Sequence, residues 1–178
     1  MKLSVVGCGY LGAVHAAAMA SIGHDVVGID LDERKIRSLS AGEAPFFEPG
    51  LQEILGQGIE SGRLRFTTDT SAASGAQVHF VAVGTPQRKD SHAADLTYVN
   101  AAVDGLVPHL SRGDIVVGKS TVPVGTASAL RPVIEAAGAT LVWNPEFLRE
   151  GWAVQDTIDP DRVVVGIPWK SWHCGTIT

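Results

Sequence analysis

Three glycines and a handful of acids mark where this 178-residue chain could do chemistry. Gly7, Gly9 and Gly12 stand in "VVGCGYLGAVHAAAMASIGHDVVGID", between an apolar run and an alanine-rich stretch, and Asp30 closes the segment. Glycine has no Cβ, so Gly7 permits a tight turn, Gly9 leaves room for a bulky anion to reach main-chain N–H groups, and Gly12 lets the following helix pack close to the strand. If a strand ends at Val6 and a helix opens after Gly9, around Tyr10 and Leu11, the helix tip adds unpaired donors and a partial positive charge. That combination suits a pyrophosphate. A carboxylate at the end of the next apolar run is placed to accept bonds from ribose hydroxyls and to repel a 2′-phosphate. The pattern is a dinucleotide cradle that favours NAD over NADP, with Arg34 as the nearby cation that could still hold a phosphate.

Three later stretches carry the remaining polar chemistry. "GTPQRKD" holds Gly84 and Thr85, "GKSTVPVGT" holds Lys119, Ser120, Thr121 and Thr126, and "NPEFLREG" holds Asn144, Glu146, Phe147, Leu148 and Glu150. Each has a plain structural reading: Thr121 and Pro123 can start a helix, and Asn144-Pro145 can make a turn. Yet each follows an apolar run, and in a parallel sheet all three would lie on the edge that carries the glycine turn. Open α/β sheets bind ligands along that edge. Glu146 has apolar sequence neighbours in Phe147 and Leu148. Partial burial there would raise its pKa and fit it to take a proton, whereas an acid at a helix start would need no such role.

The elements that must position these residues are legible as periodicity. Strands are expected at Leu3–Val6, Asp25–Ile29, Leu64–Thr67, Val78–Val83, Asp114–Val117, Thr140–Trp143 and Arg162–Gly166, several of them nearly continuous valine and isoleucine. Leu96, Val99, Val103, Leu106 and Leu110 step by three and four, as do Leu11, Val14, Ala18 and Ile22, and Gly23 stands where a helix C-cap glycine belongs. The alternation implies right-handed crossovers and an α/β, doubly wound, Rossmann-like parallel sheet in a single domain over residues 1–167. The Pro- and Phe-rich segment 42–55 reads as an ordered excursion packed on that sheet. The last stretch, "PWKSWHCGTIT" at 168–178, looks foreign to such a domain, as a truncated or shifted reading frame or an appended scar would.

Composition sets the outer bounds. A net charge of −5 and a pI near 5.6 argue against a nucleic-acid partner, and no apolar run is long enough to span a membrane. The start of the chain lacks the continuous apolar segment of a signal peptide, so a cytoplasmic location is expected. Cys8 and Cys174 give neither a disulfide framework nor metal spacing, and no metal is expected. Cys8 reads as a packing residue inside the turn. His15, His24 and His79 have no carboxylate at a recognisable spacing and read as packing or surface residues.

"GCGYLG", "VGTP", "KSTVPVGT" and "NPEFLREG" together resemble the UDP-glucose/GDP-mannose dehydrogenase family, most closely its bacterial UDP-glucose 6-dehydrogenases, over nearly the whole chain. The resemblance implies two hydride transfers to two NAD⁺, oxidising the C6 alcohol of a UDP-sugar, UDP-glucose before others, to a carboxylate. It implies that the Gly7–Gly12 backbone with Tyr10 and Leu11 holds the pyrophosphate and that Asp30 and Arg34 hold the adenosine ribose. Gly84, Thr85, Ser120, Thr121 and Glu150 would lie along the cofactor. Glu146 would act as acid/base, Thr121 would position the hydrolytic water, and Glu146, Phe147, Leu148 and Glu150 would wall the sugar nucleotide. The family also uses a cysteine thiolate and a lysine in motifs absent from this chain, and its members form homo-oligomers. The expectation is therefore an NAD-binding domain that is incomplete alone, the alternative being a stand-alone nucleotide-binding module without catalysis.

Overall fold

The computed structural model describes residues 1–145 and 147–167; Glu146 and the 168–178 tail with Cys174 lie outside the described residues. Six strands form one parallel sheet: β1 (Lys2–Val6), β2 (Asp25–Ile29), β3 (Leu64–Thr67), β4 (Val78–Val81), β5 (Ile115–Gly118) and β6 (Thr140–Trp143). Their order is β3-β2-β1-β4-β5-β6, with Val6 in register with both Ile29 and Val81. The order reverses between β1 and β4, and the crevice beyond the carboxyl ends at that point is where such sheets take ligands.

Helices cover both faces because the strands are apolar on both. On one face α1 (Tyr10–Ser21), α2 (Glu33–Ser40) and α3 (Leu51–Glu60) bury Val5, Val14, Leu39, Leu51 and Leu55 in one cluster. On the other, α4 (Thr97–Leu106) and α5 (Thr126–Ala136) pack Val99, Val103, Leu106 and Ile134 over Ile29, Val81 and Val116. A short α6 (Ala153–Ile158) lies against α1, whose residues Gly12 to Ala18 are all buried. The stripe expected along α1 is thus not a one-sided face. Alanine is small enough for the helix to be enclosed by the sheet, α3 and α6 together. Ile22, counted into the stripe, falls past the helix and is 49% exposed. Gly23 does close it, at φ +100°, with its N–H on Ala20 O and the next on Met19 O. The 42–55 excursion packs as expected, through Ala44, Phe46, Leu51 and Leu55.

The first strand begins one residue early, at Lys2, and three further strand expectations change. The fourth strand stops at Val81. The fifth starts at Ile115, because Asp114 turns inward to accept the Ser111 N–H at 2.6 Å. The seventh is a correction. Residues 162–166 form no strand and make a single antiparallel bridge, Gly166 to Trp143, among the described residues, and they leave Val163, Val164 and Val165 exposed. Valine content favours a strand only where a neighbour completes the ladder and packs the side chains.

Two buried histidines shape the response to acid. His79, on β4, bonds Ser4 Oγ at 2.7 Å and Asp114 Oδ2 at 3.3 Å, a carboxylate partner supplied across strands and invisible in linear spacing. His15, 6% exposed, stands edge-on to Phe80, and neither ring nitrogen has a hydrogen-bond partner among the described residues. Burial, aided by the charge of Lys119, pushes its pKa down to about 3. Below pH 6.5 the unfolded chain takes up a proton that the folded chain refuses, so this contribution to stability falls steadily from pH 6.5 to about 3. His15→Leu is expected to recover about 2 kcal/mol at pH 4.5 and to flatten the acid limb of a melting-temperature-against-pH curve. An unchanged slope would refute this account of His15.

Candidate functional site

The three glycines of the turn have different physical reasons. Gly7 has φ +93° and donates its N–H to Ile29 O at 2.8 Å, and a Cβ there would lie 2.7 Å from Val83 Cγ1. At Gly12 a Cβ would lie 1.8 Å from Gly7 O, so this glycine lets α1 sit on β1. Gly9 is extended, φ −69° and ψ −165°, and a Cβ on it would meet nothing within 4 Å. Nothing in the protein asks for a glycine at that position. A group arriving from outside would. Gly9 is also the N-cap of α1, with no side-chain cap and no acid in the first turn, so the helix tip keeps its partial positive charge for an anion.

A cavity of about 550 Å³ runs from this tip past Gly7, Gly9, Asp30 and Lys35 to Gly84 and Tyr98. Asp30 Oδ2 accepts from the Cys8 N–H and from Lys35 Nζ, both at 2.7 Å, while Oδ1 accepts from the Asp32 N–H at 3.0 Å. A carboxylate offers about four acceptor sites, which leaves capacity on Oδ1 for a ribose hydroxyl. Lys35 is the residue that sequence reading missed. It stands in the first turn of α2, where a side chain leans back toward the helix N-terminus and so toward Asp30. Arg34, the expected cation, has its side chain 87% exposed and only a loose 3.7 Å contact with Asp32. Asp32 itself is the α2 N-cap, accepting from the Arg34 and Lys35 N–H groups. Cys8 is fully buried, and burial, with the Asp30 charge next, pushes its thiol pKa far up, which suits packing and not nucleophilic attack.

The three polar loops meet on the same edge and are bonded to one another. Ser120 Oγ donates to Val83 O at 2.6 Å, Thr85 Oγ1 donates to Thr121 O at 2.8 Å, and Trp143 Nε1 donates to Ser120 O at 3.1 Å. The Ser120 hydroxyl thus holds the loops together, while Thr121, Gly84 and Glu150 are exposed and Thr85 is half-buried. Lys119 Nζ donates to Asn144 Oδ1 at 2.8 Å. A second cavity of about 460 Å³, between α1 and the segment after β6, is lined by His15, Lys119, Asn144, Phe147, Leu148 and Arg149. Phe147 is 71% exposed and Leu148 half-buried. Tyr10 opens α1 and donates its hydroxyl to Glu48 at 2.5 Å; Leu11 packs partly buried behind it. Glu48 was not anticipated from the sequence. Among the described residues there is no group of three or more His, Cys, Asp or Glu that could hold a metal, and no helix long and apolar enough to cross a membrane.

The chemistry of this edge fits NAD: room at Gly9, donors at the α1 tip, an acid with a lysine beside it at the end of β2, and hydroxyl-bearing loops farther along. Comparison with known proteins agrees. Residues 1–173 match the NAD binding domain of the UDP-glucose/GDP-mannose dehydrogenase family. The chain is 46% identical over 172 residues to the UDP-glucose 6-dehydrogenase of Rhizobium meliloti, covering 94% of this chain and 39% of that protein. It is 43% identical over 171 residues to one from Bacillus subtilis, covering 93% and 37%. Among solved structures, a GDP-mannose dehydrogenase ternary complex from Pseudomonas aeruginosa superposes with a TM-score of 0.88 at 36% identity, over 96% of this chain and 42% of that one. A UDP-glucose dehydrogenase from Pyrobaculum islandicum gives 0.83 at 44%, over 93% and 40%. The chain therefore spans about two fifths of the length of these relatives, and it belongs to the UDP-glucose/GDP-mannose dehydrogenase family as its NAD-binding domain.

Proposed function

We propose that this domain serves a UDP-sugar 6-dehydrogenase that converts UDP-glucose to UDP-glucuronate, working as a cytoplasmic homo-oligomer. The observation that carries the reading is the unclaimed space at Gly9, beside Asp30 and Lys35 and on the edge shared by the three polar loops. The dehydrogenases of Rhizobium and Bacillus, alike in sequence over nearly the whole chain, support UDP-glucose as the substrate. Gly7, Gly9, Tyr10, Leu11 and Gly12 hold the pyrophosphate, and Asp30 holds the ribose, with Lys35 fixing the direction of that carboxylate through its 2.7 Å bond. Arg34 remains at the rim. Gly84, Thr85, Ser120, Thr121 and Glu150 line the path of the cofactor. When bound, NAD⁺ accepts the hydride from the sugar carbon.

The chain's own residues do the proton and positioning work. Glu146 takes the alcohol proton, and Thr121 holds the hydrolytic water. Phe147, Leu148 and Glu150 wall the sugar nucleotide and keep bulk water away. The second oxidation needs a thiolate to trap the aldehyde as a hemithioacetal, whose oxidised thioester is then hydrolysed. Cys8, buried behind the turn, is unsuited to it.

Calorimetry should therefore find NAD⁺ binding to the 178-residue chain, with NADP⁺ at least about tenfold weaker through repulsion of its 2′-phosphate by Asp30. The chain alone should not turn over UDP-glucose. Joined to the remainder of a full-length relative it should do so, and Glu146→Gln should then remove most of the rate. Full activity with Glu146→Gln would favour a nucleotide-binding module over an enzyme. Absence of NAD⁺ binding would end both readings.

A further inference from the structure

Glu48 is a buried carboxylate, 5% exposed, brought in by the excursion between α2 and α3. Oε2 accepts from Tyr10 Oη at 2.5 Å and from the Gly151 N–H at 2.8 Å, and Oε1 accepts from the Ala153 N–H at 2.8 Å. Burial alone would raise its pKa, but the bonds from Tyr10, Gly151, Ala153 and Val154 outweigh it and hold the carboxyl below its usual range. One acid thus joins three segments far apart in sequence. Tyr10 is the first residue of α1, directly after Gly9. Gly151 and Ala153 flank Trp152, the N-cap of α6, which makes no side-chain cap of its own.

A helix cap by itself would need only a serine or aspartate at position 152. Here the cap comes from a distant carboxylate, and the oxygen that holds Gly151 is the one that holds Tyr10. Gly151, at φ +84°, and Glu150 are the central residues of the turn that follows Phe147 and Leu148, and Trp152 N–H closes that turn on Arg149 O at 2.9 Å. A shift of the α1 tip is therefore felt at the turn through a single shared acceptor. The six-residue α6 is too short to hold a helix by itself, so its start depends on this acceptor and on its packing against α1.

We propose that Glu48 is a positioning residue: through Tyr10 it ties the glycine turn to the Gly151–Ala153 turn, so that filling the first fixes the segment bearing Phe147, Leu148 and Glu150. This rests on the reading that NAD fills the glycine turn. Amide hydrogen exchange by NMR on the whole chain tests it. Without cofactor, Glu48→Gln should speed exchange at Gly151 and Ala153 about tenfold, and Tyr10→Phe, which removes one hydroxyl and leaves the core intact, about threefold. Amides of Val6 in β1 and Val103 in α4 should stay within about twofold. Saturating NAD⁺ should slow Gly151 and Ala153 in the wild type and leave them unchanged in Glu48→Gln. Exchange that rises equally in β1 and α4 would mark a general fold staple and overturn the proposal. So would unaltered rates at both amides in Tyr10→Phe, or wild-type rates indifferent to bound NAD⁺. A wild-type chain that takes up no NAD⁺ overturns the cofactor reading instead, and the cofactor-free rates of the two variants then still decide whether Glu48 holds the turn.

Discussion

Gly9→Val is expected to leave the melting temperature within about 3 °C of the wild type while weakening NAD⁺ binding at least ~100-fold. Both halves follow from the same geometry. The backbone of Gly9 is extended, a conformation that suits a β-branched residue, and its Cβ direction is free of protein atoms. Exchanging glycine for valine at an N-cap with no side-chain bond costs at most about 1 kcal/mol. The three new carbons, however, occupy the approach to the α1 tip. A hundredfold loss corresponds to about 2.7 kcal/mol, modest for shutting an anion out of a set of fixed N–H donors. Differential scanning fluorimetry and calorimetry on one preparation check both halves. A variant that melts normally and binds NAD⁺ within about threefold of wild type would remove the cofactor from this turn.

Gly12→Ala is expected to fail in the opposite way, by destabilising the fold. In a bare helix the exchange would stabilise by about 1 kcal/mol, since alanine is the better helix former. Here the new methyl carbon would be placed 1.8 Å from the carbonyl oxygen of Gly7, a backbone atom held by the turn. Relief requires α1 to lift off β1, and α1 is buried from Gly12 to Ala18 against the sheet, α3 and α6. That opens the larger apolar cluster, at a cost on the order of 4 kcal/mol, which for a chain of this size lowers the melting temperature by roughly 10 °C or more. A melting temperature within about 2 °C of wild type would show that the helix tolerates the shift and that the close approach is not needed.

The spacing of the motif assigns Gly9 to the approach of the phosphates and Gly12 to close helix–strand packing, and the structure agrees. Each is a residue without a side chain, and the string does not say which atom would collide. The same holds for the charges around Asp30. Arg34 and Lys35 are neighbours in sequence, yet the direction of the α2 axis sends one into solvent and the other onto the carboxylate at 2.7 Å. His79 appeared unpaired because Asp114 lies 35 positions away and reaches it only across the β4–β5 pair. Glu48 carried no signal beyond its place in a Pro- and Phe-rich excursion, since its partners lie between 38 and 105 residues away.

Local order alone set much of the rest. Valine-rich runs separated by helical periods require a parallel sheet with both faces covered, and right-handed crossovers then put the carboxyl ends on one edge. For that reason the glycine turn, Asp30 and the "VGTP", "KSTVPVGT" and "NPEFLREG" loops could be assigned to a common edge from the string, and the structure places the described parts of them there. What only tertiary structure decided is which partner each polar group takes: Lys35 and not Arg34 for Asp30, Val83 O for Ser120, Tyr10 and two distant amides for Glu48. Periodicity is a property of neighbours in sequence and survives in the string. A hydrogen bond depends on distances of a few tenths of an ångström between elements, and these exist only once the helices and strands have packed.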